Sequence, residues 1–438
     1  MKKKRMLPLQ SAVLILAAAL LSVSCNWTKH SDDPDGYGKV MILYSAGFNN
    51  LSPYLAQNVA DLEKGSLPGR KDRNVLLVVS RRTRGNGSNY KDETAPFLFR
   101  MYADKGTVVK DTLWSMPAGT TLVDKDVMRS FLTKIRDLFP AESYGMLFSS
   151  HTNGWLPNGY YANPSAFDNR SGARRAAGPI PAQIHDPQAE GFPLTKSLGP
   201  EYYRETASGP VYSHEMELSD MAEAIPMHLD YLIFDSCLMG GVEVAYELKD
   251  VADKIGFSQA EVLAEGLDYR TAASHLLQGS PDPEAVCRAY FEQYDKRTGV
   301  YHSATVSLVD CSRLDELAAA CRPLFEKYAE AIRRLDKDAV QGFGGSLKPW
   351  YFDLRDILEK AGAPDAELTA LDAALDRCIP FKAHTGQYYS VYASNFGAGT
   401  VGIDAFCGLS MYLPSAGSSY LDDFYRTLAW NRAAGLVP

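Results

Sequence analysis

Short, nearly continuous runs of apolar residues recur along the chain, and most are followed by a segment with apolar residues at helical spacing. Strands that are apolar without alternation are typical of a parallel sheet whose two faces are both covered by helices. The pattern therefore predicts an α/β fold, a sandwich of helices around a mostly parallel sheet. The runs that predict its strands lie at residues 39–51, 74–82, 144–155, 229–237 and 254–262.

Two further patterns fall between these runs. Residues 97–116 contain two shorter apolar stretches on either side of Lys105 and Gly106, which predicts a hairpin. Residues 124–139 place apolar side chains at helical spacing, which predicts an amphipathic helix.

From about Ala304 the pattern changes to one strand, a long helix over 311–336 and several shorter elements. We therefore expect a main domain over 39–303 and a smaller C-terminal subdomain over 304–438, which returns one strand to the main sheet. The shorter elements are helices over 349–361 and 364–378 and strands near 387–394 and 406–413.

The first 25 residues predict export. A basic head, Lys2 to Arg5, precedes an apolar stretch of about ten residues, which is well short of the roughly 20 that a spanning helix needs. Small residues then lead into Cys25, which resembles the lipobox of bacterial lipoproteins. We expect a signal peptide over 1–24, a lipid anchor on Cys25 and a flexible polar tether over 25–38.

These features predict a bacterial outer-membrane lipoprotein. The acidic tract after Cys25 resembles those of lipoproteins sent to the outer surface, so surface display is one of the open alternatives. A periplasmic protein, or a secreted one with an unmodified Cys25, stays open as well.

Composition and charge reduce the range of possible functions. The chain of 438 residues is 46% hydrophobic and carries a net charge of −8, which argues against nucleic acid as a partner. No Cys or His spacing suggests zinc. The acidic stretch "SDDPDG" lacks the ligand spacing of a calcium-binding EF-hand, so the residues predict no cofactor and no metal. The cysteines beyond Cys25 do not form a disulfide framework; they are residues 237, 287, 311, 321, 378 and 407.

Polar side chains follow two of the predicted strands at the point where each strand ends. His151 comes after one strand, and Asp235 and Cys237 end another. Ligands of open α/β sheets bind at the carboxyl ends of the strands, and an imidazole can activate a thiol as a nucleophile. The alternatives are a buried structural cysteine for Cys237 and a helix N-cap for Asp235.

The sequences of these segments resemble motifs of a known family. "DSCLMGGVEVAYEL" and "SSHTNGW" are similar to the cysteine and histidine segments of the clostripain-like cysteine peptidases, which share a clan with caspases, legumain and gingipains. The resemblance implies a caspase-like fold with the catalytic domain over 39–303. Three more segments match in the same order: "MILYSAGFNNL", "GFSQAEVLAEGLDY" and "GLSMYLP".

The resemblance also implies the catalytic roles. Cys237 would be the nucleophile, and His151 would protonate the departing amine. The backbone N–H groups of Thr152 and Cys237 would form the oxyanion hole. The mechanism would proceed through a thioester acyl-enzyme.

Substrate choice follows from the same resemblance. Asp235 would bind an Arg, or a Lys, before the cleaved bond, and Glu265 or Asp268 would add to the pocket wall. We expect protein or peptide substrates and a monomer that contacts membrane only through its lipid anchor. Some members of the family use calcium, although no motif here supports a site.

A long Pro-, Gly- and Arg-rich stretch over 156–211 separates the two catalytic segments. Relatives cleave themselves in a loop between the catalytic histidine and cysteine, after a basic residue. The stretch offers Arg170, Arg174 and Arg175, with Lys196 and Arg204 further on. The resemblance therefore predicts autocleavage of a zymogen, and we expect the cut after Arg174 or Arg175. The alternative is a surface insertion that covers the cleft.

Two departures from the family pattern leave other functions open. Thr152 stands where glycine is common, and Leu267 stands where tryptophan is usual. A catalytically inactive member of the fold, which binds peptides or host proteins at the surface, is the main alternative. A glycan-binding lipoprotein, which would use the 25 tyrosines, is a third.

Overall fold

The computed structural model describes residues 34, 36–84, 94–168, 193–196, 201–203, 212–345, 349–391, 393 and 399–438. The helices are α1 (Ser52–Leu62), α2 (Lys125–Leu138), α3 (Ser165–Asp168), α4 (Leu218–Ala224), α5 (Val242–Glu247), α6 (Tyr269–Leu277), α7 (Pro283–Asp295), α8 (Leu314–Arg334), α9 (Leu354–Lys360), α10 (Asp365–Cys378), α11 (Ser419–Tyr425) and α12 (Ala429–Ala434). The strands are β1 (Tyr37–Gly47), β2 (Val75–Arg82), β3 (Phe97–Asp104), β4 (Thr107–Ser115), β5 (Ala141–Ser149), β6 (Glu201–Tyr203), β7 (Tyr212–His214), β8 (Leu229–Asp235), β9 (Ala252–Phe257), β10 (Thr305–Asp310), β11 (Phe352–Asp353), β12 (Phe381–His384), β13 (Gln387–Ser390), β14 (Gly399–Gly402) and β15 (Ser410–Met411).

Nine strands form the central sheet in the order β12-β10-β9-β8-β5-β1-β2-β3-β4. The five central strands, from β9 to β2, are parallel to one another, and the pairs at both flanks are antiparallel. The side chains of the central strands are buried on both faces of the sheet. The predicted α/β sandwich around a mostly parallel sheet is therefore confirmed.

Local sequence explains the flanking elements. Helix α2 begins after Asp124, whose carboxylate accepts hydrogen bonds from the N–H groups of Asp126 and Val127. Its apolar face, which includes Met128 and Phe131, is buried in the core. The hairpin of β3 and β4 turns at Lys105 and Gly106, both in the left-handed backbone region, as its sequence predicts.

Strand β9 is shorter than its sequence pattern suggests. The predicted strand continues to Val262, but the strand in the structure ends at Phe257, and three of the five residues beyond it are polar: Ser258, Gln259 and Glu261. From Ser258 the chain runs beside the segment after β8, because Gly240 N donates to Ser258 O and Leu238 N donates to Ala260 O. The residues beyond β9 therefore belong to the functional site instead of the sheet.

The C-terminal part of the chain shares the main sheet. Strands β10 and β12 both lie beyond residue 304, and β10 pairs with β9. One hydrophobic cluster also extends through both parts of the chain. The expected subdomain over 304–438 thus contributes two strands, not one, while its status as a separate unit stays a prediction.

Candidate active site

The histidine and the cysteine lie at the same edge of the sheet. Strands β5 and β8 are parallel neighbours, with Ser149 opposite Asp235 in the register. His151 and Cys237 each follow their strand by two residues. Parallel strands end at a common edge, so the register alone brings these two side chains to the same place.

The segment around Cys237 has an unusual backbone. Leu238, the residue after Cys237, has a φ of 62°, in the left-handed region that non-glycine residues rarely adopt. The Oγ1 hydroxyl of Thr152 donates to the Cys237 carbonyl oxygen at 2.5 Å, and Val262 N lies 2.9 Å from the Cys237 sulfur. Neighbouring segments on both sides therefore fix the position of the thiol.

Asn50 orients the imidazole. His151 Nε2 lies 2.6 Å from Asn50 Oδ1, so in the tautomer protonated at Nε2 the ring donates to this amide oxygen. Burial is the main reason why the pKa of His151 falls to about 3; a hydrogen bond with the Lys196 backbone opposes the shift, and the Lys196 ammonium adds to it. In this form the imidazole is neutral at physiological pH.

Residues 194–196 cross the site as a short extended segment. Thr195 forms an antiparallel bridge with Leu263. Lys196 N donates to Val262 O at 3.0 Å, and Ala264 N donates to Leu194 O at 2.8 Å. This is the pairing by which an extended peptide adds to an exposed strand.

The carbonyl of Lys196 lies at the predicted oxyanion position. Thr152 N donates to Lys196 O at 3.3 Å. Because Thr152 follows His151 directly, this N–H is the donor that the sequence assigns to the oxyanion hole. The matching role of the Cys237 backbone N–H stays a prediction.

The side chain of Lys196 is completely buried in a pocket that Asp235 closes. Its Nζ donates to Asp235 Oδ2, and it also lies 3.1 Å from both Ser149 Oγ and the Asp235 carbonyl oxygen. Tyr269 supports the carboxylate, since its hydroxyl donates to Oδ2 at 2.6 Å. Burial lowers the pKa of Lys196, and the Asp235 carboxylate opposes that shift.

Gly266 allows the chain to pass directly over the carboxylate. A Cβ atom at Gly266 would lie 2.3 Å from Asp235 Oδ1, and the φ of this residue is +71°. Any side chain here would therefore both collide with Asp235 and strain the backbone. The glycine is part of the pocket wall.

The two other predicted pocket acids have different partners. Glu265 is partly exposed and lies 3.5 Å from the Arg297 guanidinium. Asp268 caps α6, because its side chain accepts from Arg270 N. Contact of either acid with a substrate stays a prediction.

Several site residues escaped the sequence reasoning. Asn50 belongs to the "GFNNL" segment that was matched to the family, so its polar side chain at a strand end was a usable signal. Ser149 precedes the histidine on the same strand and carried a similar signal. Lys196 and Tyr269 reach Asp235 from distant parts of the chain. Lys196 is one of the basic residues of the long loop, but nothing local distinguishes it from the others, and nothing local marks Tyr269.

Some predictions fall outside the described residues. The cleavage positions Arg174 and Arg175, the lipidated Cys25 and the signal peptide over 1–24 all lie there, so the structure leaves them as predictions. Within the described ranges, no group of His, Cys, Asp or Glu side chains is arranged to hold a metal ion. The prediction of no cofactor is not tested by this.

In the part of the chain that the structure describes, no helix has both the length and the apolar character needed to cross a membrane.

A second cavity is separate from the catalytic pair. It measures about 860 Å³, and residues such as Asp353, Arg355 and Phe406 line it. Neither His151 nor Cys237 is among its lining residues. His151 and the neighbouring Thr152 instead lie against the backbone of Lys196.

Comparison with known proteins agrees with this geometry. The model of the clostripain family matches residues 43–177 and 211–431. No curated protein matches the chain.

Solved structures resemble nearly the whole chain. An inactive zymogen protease from Parabacteroides distasonis is 22% identical, with 92% of this chain and 99% of that one covered and a TM-score of 0.71. A secreted cysteine protease from Bacteroides thetaiotaomicron, in complex with an irreversible peptide inhibitor, is 25% identical, with 91% and 99% covered and a TM-score of 0.70. Another structure of a secreted cysteine protease from Bacteroides thetaiotaomicron is 22% identical, with 91% of this chain and 99% of that one covered and a TM-score of 0.67. These likenesses confirm the caspase-like fold.

Proposed function

Since the chain belongs to the clostripain family of cysteine peptidases, we propose that it is an endopeptidase that cleaves after Lys and, less readily, after Arg. Lys196 carries the proposal. Its side chain fills the Asp235 pocket while its carbonyl oxygen accepts from Thr152 N. That is the pose expected of a substrate residue just before the cleaved bond.

The reaction would begin with transfer of the Cys237 thiol proton to His151, while the sulfur attacks the carbonyl carbon before the cleaved bond. The oxyanion that forms is stabilised by the Thr152 N–H. His151 donates a proton to the amine as the C–N bond breaks, which leaves a thioester on Cys237. Water then attacks the thioester, releases the carboxylic acid and restores the thiol.

The preference for Lys follows from the pocket. An ammonium has three donors, and Lys196 Nζ has three acceptors from Asp235 and Ser149 around it. The pocket encloses this side chain completely. Among the described residues none donates a hydrogen bond to Asp235 Oδ1, so a guanidinium also finds an acceptor there.

We also propose that the chain is a zymogen that cleaves itself between Lys196 and Ser197. Lys196 lies between His151 and Cys237 in sequence, and its carbonyl oxygen accepts from Thr152 N, the donor proposed for the oxyanion hole. The sequence favours Arg174 or Arg175 as the cleavage position; the contacts of Lys196 support Lys196 in their place. Until the cut is made, the chain's own segment fills the site, so outside substrates are excluded.

Incubation of the purified chain under reducing conditions tests this. We expect two fragments, the second beginning at Ser197, and no cleavage in Cys237→Ala. Lys196→Ala should stay intact at this position, whereas the matched control Arg174→Ala/Arg175→Ala should be cut normally. An intact wild-type chain, or a new N-terminus after Arg174 or Arg175, would contradict the assignment.

Fluorogenic peptides test the specificity. We expect faster hydrolysis of a peptide ending in Lys than of the same peptide ending in Arg, and loss of both activities in Cys237→Ala. A faster Arg peptide would reverse the proposed order. A processed chain that hydrolyses neither would favour the inactive, peptide-binding alternative.

We further propose export and lipid attachment at Cys25. The basic head, the short apolar stretch and the position of Cys25 support this, and a similar protease from Bacteroides thetaiotaomicron is described as secreted. Radioactive palmitate should label the wild type in bacterial cells and leave Cys25→Ser unlabelled. Equal labelling of both would contradict the anchor.

A further inference from the structure

Thr195, the residue before Lys196, has a specific polar contact of its own. Its Oγ1 hydroxyl donates to Glu261 Oε2 at 2.8 Å. Both side chains are buried. The other carboxylate oxygen of Glu261 accepts from Ser390 Oγ at 2.5 Å, and Val391 N lies 3.3 Å from Oε2.

This contact lies on the opposite side of the bound segment from the Asp235 pocket. Successive side chains of an extended chain point in opposite directions, so Lys196 enters one pocket and Thr195 turns towards Glu261. A peptide substrate that pairs with residues 262–264 in the same register would place its second residue before the cut where Thr195 lies.

We propose that Glu261 determines specificity at this position and selects a residue with a short hydroxyl side chain, Thr or Ser. The inference rests on the proposed peptidase function and adds a second side-chain requirement to it. Glu261 offers a buried carboxylate at direct hydrogen-bond distance from a hydroxyl one bond beyond Cβ. Sites built to bind a hydroxyl discriminate against the analogue that lacks it, because the buried acceptor loses one of its hydrogen-bond donors.

The same carboxylate would exclude acidic residues. A second carboxylate beside Glu261 would bring two negative charges together in a buried place, which is strongly unfavourable. A valine has nearly the shape of threonine but no donor. The preferred order is therefore Thr and Ser, then Val, with Glu rejected.

Processed wild-type enzyme and a peptide series test this directly. The peptides are Leu-X-Lys with a fluorogenic amide, where X is Thr, Ser, Val or Glu; Leu is constant because Leu194 packs with Leu51 and Leu55 in an apolar cluster. We expect kcat/KM for Thr to exceed that for Val by about 10- to 100-fold, as for a hydrogen bond to a charged group, with no measurable hydrolysis when X is Glu. In Glu261→Gln, the ratio of Thr to Val should fall to about threefold and the Glu peptide should become a substrate.

Rates for Thr and Val within twofold of each other in the wild type would overturn the inference while leaving the peptidase function intact. Hydrolysis of none of the peptides would overturn both.

Variants of the chain itself provide a second measurement that does not depend on how Glu261→Gln folds. Thr195→Val should slow the appearance of the fragment that begins at Ser197 by about tenfold or more, and Thr195→Ser should preserve the wild-type rate. Equal rates for Thr195→Val and Thr195→Ser would also overturn the assignment of Glu261.

Discussion

Removal of the Lys196 ammonium should release the segment that covers the catalytic pair. The Lys196 and Asp235 side chains are both completely buried. Loss of one partner of a buried ion pair typically costs about 3–5 kcal/mol, because the other charge is left in a low-dielectric place. Lys196→Met keeps the apolar stem of the side chain as far as the Cε position and removes the ammonium group, with its charge and its hydrogen-bond donors.

The segment can avoid most of this penalty by leaving the pocket and letting water reach Asp235. The opening equilibrium should therefore rise by about 100-fold or more, since each 1.4 kcal/mol corresponds to a factor of ten. Hydrogen exchange in the Cys237→Ala background, which prevents cleavage, measures it. The amides of Thr152, Lys196 and Ala264 report on opening, because each is hydrogen-bonded across the segment boundary.

Two comparisons make the result decisive. Lys196→Arg keeps a cation and should exchange much more slowly than Lys196→Met. The double variant Lys196→Met/Asp235→Asn should lose less protection than the sum of the two single variants, because the charges are removed together; coupled neighbours differ from additivity by about 0.5–3 kcal/mol. Equal exchange in Lys196→Met and the wild type, or strict additivity, would refute the reasoning.

Three further results are expected. Asn50→Ala should lower kcat on a Lys peptide by up to about 100-fold with little change in KM, because misplacement of the imidazole affects chemistry more than binding; an unchanged kcat would contradict its orienting role. In the uncut chain, NMR should show the His151 ring neutral down to about pH 4, and stability should fall as the pH drops from 6.5 towards 3, because only the unfolded state takes up the proton there; titration near 6.5 would contradict this. Glu201→Ala, which breaks a buried pair with Arg81, should lower the free energy of unfolding in urea by about 3 kcal/mol, whereas Glu142→Ala in an exposed pair should change it far less.

The sequence predicts the sheet well because its central strands are buried on both faces. Uninterrupted apolar runs such as residues 75–79 are typical of a strand buried on both faces, and their order with helices favours a parallel sheet. The stretch 254–262 shows where this reasoning fails. Residues 258–262 are buried beside the segment that follows β8. Three of them, Ser258, Gln259 and Glu261, are polar, so the sequence itself carried a signal that the strand ends at Phe257.

The residues of the site likewise fall into those that the sequence predicts and those that it does not. His151, Asp235 and Cys237 end predicted strands, so the general geometry of parallel sheets places them together. The contact of Lys196 with Asp235 and that of Thr195 with Glu261 depend on how the long loop returns across the edge of the sheet. Neither hydrophobic periodicity nor residue spacing predicts the path of this loop. Only the pairing of residues 194–196 with residues 262–264 in the structure shows which basic residue of the loop enters the pocket.

The pairing of β5 with β8 has a consequence for how the protein folds before cleavage and refolds after it. A cut after Lys196 would assign these adjacent central strands to different polypeptides, with His151 on one and Cys237 on the other. The chain must then fold before it is severed, because a single chain finds this pairing without a search for a partner. After cleavage, a molecule that unfolds would separate into two polypeptides, and their reassociation would depend on concentration. Heat or denaturant would therefore inactivate the cleaved protein irreversibly at low concentration.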